Sequence, residues 1–153
     1  MSKIKLKLGS EAENIAGFLL WQVSKLWQRH LTIALQDLKL PSTQAVILSN
    51  ILRFAEEGEK VTQMRLSKAA KIDRMTTSQA LRALERKGLI TRIIPPSNLR
   101  AYHVQLTARG RNVAFKAIQR FATIHDSFFR PLRREDAQFV EYLQKLIRAN
   151  DFS

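Results

Sequence analysis

Met75, Gln79, Arg82 and Arg86 recur at intervals of four, three and four, so they fall on one face of a helix. Arg74 stands at the start of that face, and Thr76 and Ser78 flank it. Glutamine and arginine can make paired hydrogen bonds to the edges of bases, and short side chains near a helix start let the backbone approach a groove. The opposite face carries Thr77, Ala80, Leu81 and Leu84 at i, i+3, i+4 and i+7, which predicts a buried stripe. Asp73 is suited to cap this helix and Gly88 to end it. An ordinary amphipathic helix with a solvated cationic face would share these features. The segments on either side separate the two readings.

A shorter helix precedes it, from Thr62 to Ile72, with Gln63 and Arg65 as residues that either touch phosphate or are solvated. Two β-like runs follow, Leu89 to Ile94 and Ala101 to Leu106, joined by Pro95-Pro96-Ser97-Asn98-Leu99-Arg100. In the second run Tyr102, Val104 and Leu106 alternate with His103 and Gln105, as in a half-buried strand. Helix, turn, helix and hairpin in this order predict a winged helix-turn-helix whose second helix enters a DNA major groove.

Charge supports a polyanion partner. The chain of 153 residues carries a net charge of +13, and the excess is concentrated. Residues 60–120 hold fourteen Lys and Arg against two Asp and Glu, whereas residues 121–153 hold five against five. A charge serving only solubility would be spread out. The basic residues lie on a folded motif and not on one helix with bulky apolar anchors, which favours double-stranded DNA over a membrane surface.

The flanking segments are helical and unusually apolar. A long helix is expected from Glu11 to Leu38, capped by Ser10, with Leu19, Val23, Leu26, Trp27, Leu31, Leu35 and Leu38 in one stripe. Phe18, Leu20 and Trp21 lie partly outside that stripe. Pro41 breaks the pattern, and a second helix runs from Ser42 to about Phe54 with Val46, Ile47, Ile51 and Leu52 or near neighbours inward. Lys60-Val61 suits a short first strand. After the hairpin, Thr107 can cap a helix from Ala108 to about Phe129, Pro131 ends it, and a last helix covers Arg134 to Ala149. Residues 1–10 alternate lysine with apolar residues and suit an extended segment, either a basic arm or a strand packed on a partner. Helices apolar on more than one side need more than one neighbour, so a homodimer is expected. The fold class is mainly α with a small β-hairpin: a winged helix-turn-helix over 39–107, flanked by dimerisation helices in 1–38 and 108–153.

At this point the residues resemble those of the MarR family, the multiple-antibiotic-resistance regulators, over about Leu19 to Ile147. The resemblance rests on Leu40, Gln44 and Leu48, on Thr62-Gln63 with Leu66, and on Leu84-Glu85-Arg86-Lys87-Gly88-Leu89-Ile90-Thr91-Arg92. Beyond the hairpin it continues in Arg100 and in Leu106-Thr107-Ala108-Arg109-Gly110. The family implies a homodimer joined by its terminal helices, a recognition helix in the major groove and a wing arginine, here Arg100, in the minor groove. It also implies, in most members, a repressor whose grip on DNA is changed by a small anionic or phenolic ligand. The family's wing usually places an aspartate two residues before this arginine. Here Asn98 stands in that place and can accept only a weaker, uncharged hydrogen bond.

Other chemistry finds little support. The chain has no cysteine, which excludes disulfides, thiol catalysis and thiolate metal sites. His30, His103 and His125 form no metal-ligand spacing, and no phosphate-binding loop or nucleophile motif is present. No enzyme activity, cofactor or metal is therefore expected. Trp27 and His30 are read first as core residues of the flanking helices and second as the lining of a ligand pocket. No apolar run is long enough to span a bilayer and no signal peptide is evident, so a cytoplasmic location is expected. The leading function is a sequence-specific regulator on a pseudo-palindromic operator. The alternative is a basic architectural or protein-interaction winged helix that binds nucleic acid without reading bases.

Overall fold

The computed structural model describes residues 15–97 and 102–151. The basic arm at residues 1–10, the Ser10 cap and the wing residues Asn98 and Arg100 lie outside the described residues. Among those described, the order is α1 (Ala16–Ala34), a 3-10 turn (Gln36–Leu38), α2 (Ser42–Glu56), α3 (Gln63–Ala70), α4 (Arg74–Arg86), β1 (Ile90–Ile93), β2 (His103–Leu106), α5 (Ala108–Phe128), a second 3-10 turn (Arg130–Leu132) and α6 (Asp136–Asn150).

Helix α2 is the centre of the core. It packs against α3, α4, α5 and β2. Its buried side chains are Ala45, Ile47, Leu48, Ile51, Leu52 and Phe54. Val46, expected inward, is only half-buried, because the buried residues occupy one half of the helix, from Ala45 through Leu48 and Ile51 to Ile47, and Val46 lies on the other. Leu66 of α3, Leu81 and Leu84 of α4, Ile90 of β1, Val104 of β2 and Ala114 and Ala117 of α5 close around it.

The first expected helix is shorter than its apolar stripe suggests. It stops at Ala34, and a 3-10 turn takes the chain to Lys39, which adopts the left-handed region at φ 50°. Leu35 and Leu40 are both buried on either side of this turn, so the chain has to double back to place them in one core. The start of the last helix also moves, from Arg134 to Asp136, because the turn around Pro131 extends the break.

The sheet has two antiparallel strands, with Ile90 opposite Leu106 and Ile93 opposite His103. Lys60-Val61 is not a strand. Its contribution reduces to the Val61 carbonyl, which accepts from the Val104 amide at 2.9 Å. Two residues are too few to propagate a ladder.

The two ends of the chain are covered differently. Leu31 is buried, but Phe18, Leu19, Leu20, Trp21, Val23 and Leu26 of α1 are exposed, Trp21 by 62%. Helix α6 has no buried residue, and Val140, Leu146 and Ile147 are exposed. No helix among the described residues is long and apolar enough to cross a membrane.

Candidate nucleic-acid interface

Helix α4 is fixed at its start by Asp73. One carboxylate oxygen accepts from the Thr76 amide at 2.8 Å and the other from the Thr76 hydroxyl at 2.6 Å. These bonds, the hydroxyl first, hold the Asp73 carboxyl below its ordinary pKa. Thr76, expected at the DNA-facing flank, therefore has its hydroxyl committed to the cap. The next threonine turns inward: Thr77 is fully buried and its hydroxyl donates to the Asp73 carbonyl at 2.8 Å.

With Thr77, Ala80, Leu81 and Leu84 buried, the opposite face is set by the helical period. Arg74, Met75, Gln79, Arg82 and Arg86 are exposed and Ser78 is half-buried. Met75 is 71% exposed. The structure thus brings together on α4 the residues singled out from spacing.

The end of α4 explains the most specific stretch of sequence. Gly88 takes φ +69°, and the Leu89 amide donates back to the Leu84 carbonyl at 3.0 Å, closing the helix. Thr107 then performs two tasks. Its hydroxyl donates to the Gly88 carbonyl at 2.8 Å and accepts from the Gly110 amide at 2.9 Å, capping α5. Gly110 sits so close to the Leu89 carbonyl that an added Cβ would lie 1.8 Å from its oxygen. Lys87 donates to the Gln44 side chain at 2.7 Å and to the Lys39 carbonyl at 3.0 Å. Burial lowers its pKa. Gln44, Lys87, Gly88, Thr107 and Gly110 are therefore one joint that sets α4 against α2 and α5.

Gln63 and Arg65 are less available than their positions suggested. The Gln63 amide nitrogen donates to the Arg74 carbonyl at 3.1 Å, and its oxygen accepts from the Tyr102 hydroxyl. The Arg65 guanidinium pairs with Glu59, donates to the Lys60 carbonyl at 3.2 Å and lies 4.7 Å over the Phe54 ring. Both side chains thus contact the fold around α3, while the Arg65 side chain stays 41% exposed. Tyr102 was not singled out as a functional residue. Its partner is 39 positions away, a separation that leaves no periodic trace.

Between α1, α5 and α6 lies an open cavity of about 390 Å³ with a largely apolar lining that includes Val23, Trp27, Phe129, Phe139 and Leu143. Trp27 packs edge-on to Phe128 at 5.2 Å. His30 packs on Phe128 at 5.4 Å but does not line the cavity. Among the described residues no group of three or more His, Asp or Glu side chains could hold a metal ion.

A helix-turn-helix with a hairpin wing, presenting a polar and cationic helix face, defines a winged helix-turn-helix protein. The family described as "ArnR1-like, winged-helix domain" matches residues 36–122. The chain is 33% identical over 132 residues to the Uncharacterized HTH-type transcriptional regulator YdcH of Bacillus subtilis (strain 168), covering 86% of this chain and 89% of YdcH. A crystal structure of a MarR mutant from E. coli complexed with operator DNA is similar at a TM-score of 0.75 and 25% identity, over 91% of this chain and 98% of that one. CouR from Rhodococcus jostii RHA1, bound to p-coumaroyl-CoA, shares the fold at a TM-score of 0.76 and 23% identity, over 90% and 95% of the two chains. The chain belongs to the MarR family of winged helix-turn-helix transcriptional regulators.

Proposed function

We propose that the protein is a homodimeric, sequence-specific regulator, in the first instance a repressor, that binds a pseudo-palindromic double-stranded operator. The observation that carries this reading is the split of α4. Its apolar stripe is locked into the core while Gln79, Arg82 and Arg86 stand together on the free face. Gln79 and Arg82 read base edges; Arg74 and Arg86 sit at the ends of that face and contact phosphate. Met75 and Ser78 make close contacts in the groove, and Thr76 joins them through its methyl group. Arg65, paired with Glu59 but 41% exposed, is a further candidate for a phosphate contact. Asn98 and Arg100 belong to the wing and are proposed for the adjacent minor groove.

The exposed apolar faces of α1 and α6 support the dimer, with residues 1–38 and 108–153 forming it and residues 39–107 reading DNA. Two copies related by a two-fold axis place their α4 helices about one DNA turn apart, or a multiple of it. The protein acts by binding and not by catalysis, in the cytoplasm. The cavity beside Trp27 lies between the helices of the proposed dimer and suits a small ligand with an aromatic ring, of the phenolic kind. Ligand binding there would alter the distance between the two α4 helices.

Selection from a random duplex library, followed by competition against random DNA, tests the reading. A recovered site with inverted half-sites supports it. Uniform binding to all duplexes overturns it in favour of an architectural protein.

A further inference from the structure

The Gln63 side chain touches two parts of the reading surface at once. Its amide nitrogen donates to the carbonyl of Arg74, the first residue of α4, at 3.1 Å. Its oxygen accepts from the hydroxyl of Tyr102, next to the first residue of β2. The orientation is determined by chemistry. A carbonyl cannot donate, so the nitrogen must face Arg74 and the oxygen is left to receive the phenol proton. Gln63 and Tyr102 are both half-buried, so the pair is partly shielded from competing water.

A second tie involves the face of the Tyr102 ring. The Arg92 guanidinium of β1 stands 5.1 Å over that ring, and its Nε lies 3.1 Å from Glu85 Oε2 near the end of α4. The hairpin is thus connected to the first turn of α4 through Gln63 and to its last turn through Glu85. The ion pair is partly exposed, at 23% for Arg92 and 43% for Glu85.

Resting on the proposed DNA-binding function, we propose that Gln63 and Tyr102 are positioning residues that fix the angle between the wing and the recognition helix. They act through other groups and touch no base. A hairpin hinged only by its two strands would have to be ordered when DNA binds, and that cost would weaken the wing's contact. With the bridge in place, helix and wing meet their grooves as one preset unit. Discrimination between A·T and G·C in the flanks of the site then depends on a hydrogen bond remote from the flanks.

Tyr102→Phe removes the hydroxyl and keeps the ring over Arg92. It should weaken operator binding about fivefold, within the range of one lost hydrogen bond. Most of the loss should be in flank preference and in the slope of log affinity against log salt, with the preferences set by Gln79 and Arg82 retained. Gln63→Met should do the same, and the double variant should be no worse than either single one, because both remove one bridge. Hydrogen exchange of the free protein gives a reading that needs no DNA. Amides of β1, β2 and the first turn of α4 should exchange faster in Tyr102→Phe, while those of α1 and α5 are unchanged. Unchanged exchange in the hairpin overturns the proposal whatever the DNA result. A uniform loss across all flanks, with additive single effects, also overturns it. Absence of any site preference in the unaltered protein would instead strike the DNA-reading function, and the exchange experiment would still decide the bridge.

Discussion

The winged-helix centre and the terminal helices differ in how far one chain satisfies them. Around α2 the apolar side chains are closed off: Leu48, Leu66, Leu81, Leu84 and Ala117 are fully buried. On α1 and α6 side chains of the same kind stand in solvent. At roughly 25 cal/mol per Å² of apolar surface, such faces are costly to leave wet. The centre is closed within a single copy, and on the proposed reading a second copy covers the ends. On that reading, the closed core carries the helix proposed to read bases, and the exposed apolar faces join two copies.

Two glycines sharpen this contrast most. Gly110→Ala in the centre forces a Cβ against the Leu89 backbone, and should cost more than about 3 kcal/mol or prevent folding, measured by thermal and chemical denaturation. Gly17→Ala in α1, where nothing lies within 4 Å of the added carbon, should change stability by under about 1 kcal/mol.

The next largest effect should come from the end helices. Leu146→Asp places a charge on the exposed face of α6 without touching the central core. The variant should remain helical but sediment as a monomer, and its operator affinity should fall about a hundredfold or more as the second half-site is lost. A Leu146→Asp dimer with full affinity would show that this part of α6 does not join the copies.

On α4, Gln79→Ala and Arg82→Ala should each cost about 1–3 kcal/mol of operator binding and relax preference at a few base pairs. Their melting curves should match the unaltered protein, since neither side chain is buried. Equal losses on operator and random DNA would make these phosphate contacts.

The smallest effect concerns acid. Asp73 has a lowered pKa in the folded protein, so its contribution to stability is present above the unfolded carboxylate value. It is lost as pH falls through the folded one. Asp73→Asn should therefore melt below the unaltered protein at neutral pH, and the gap should narrow on acidification. A constant gap across the acid range would contradict the assignment.

The centre was also the more legible region in the sequence. Asp73, the stripe from Thr77 to Leu84 and the glycine stop all act within one helix, so spacing alone reveals them. The turn after Ala34 was not legible, because the apolar stripe runs on through Leu35 and Leu38 while the backbone turns. Lys60-Val61 had strand-like residues but too little length to pair beyond one hydrogen bond. The Tyr102 partner of Gln63 and the Gln44 and Lys39 partners of Lys87 come from packing, and residues dozens of positions apart leave no mark on periodicity. The α4 residues proposed to meet DNA could be grouped from spacing because they share one helix.

The central claim is that α4 reads sequence. Its most direct test is the ratio of operator to random-duplex affinity at physiological salt, for the unaltered protein and for the Gln79→Ala, Arg82→Ala double variant. The expected ratio is above about a thousandfold for the former and many times smaller for the latter, with the random-duplex affinity changed much less. A ratio near one for the unaltered protein, or a ratio indifferent to both substitutions, would contradict it.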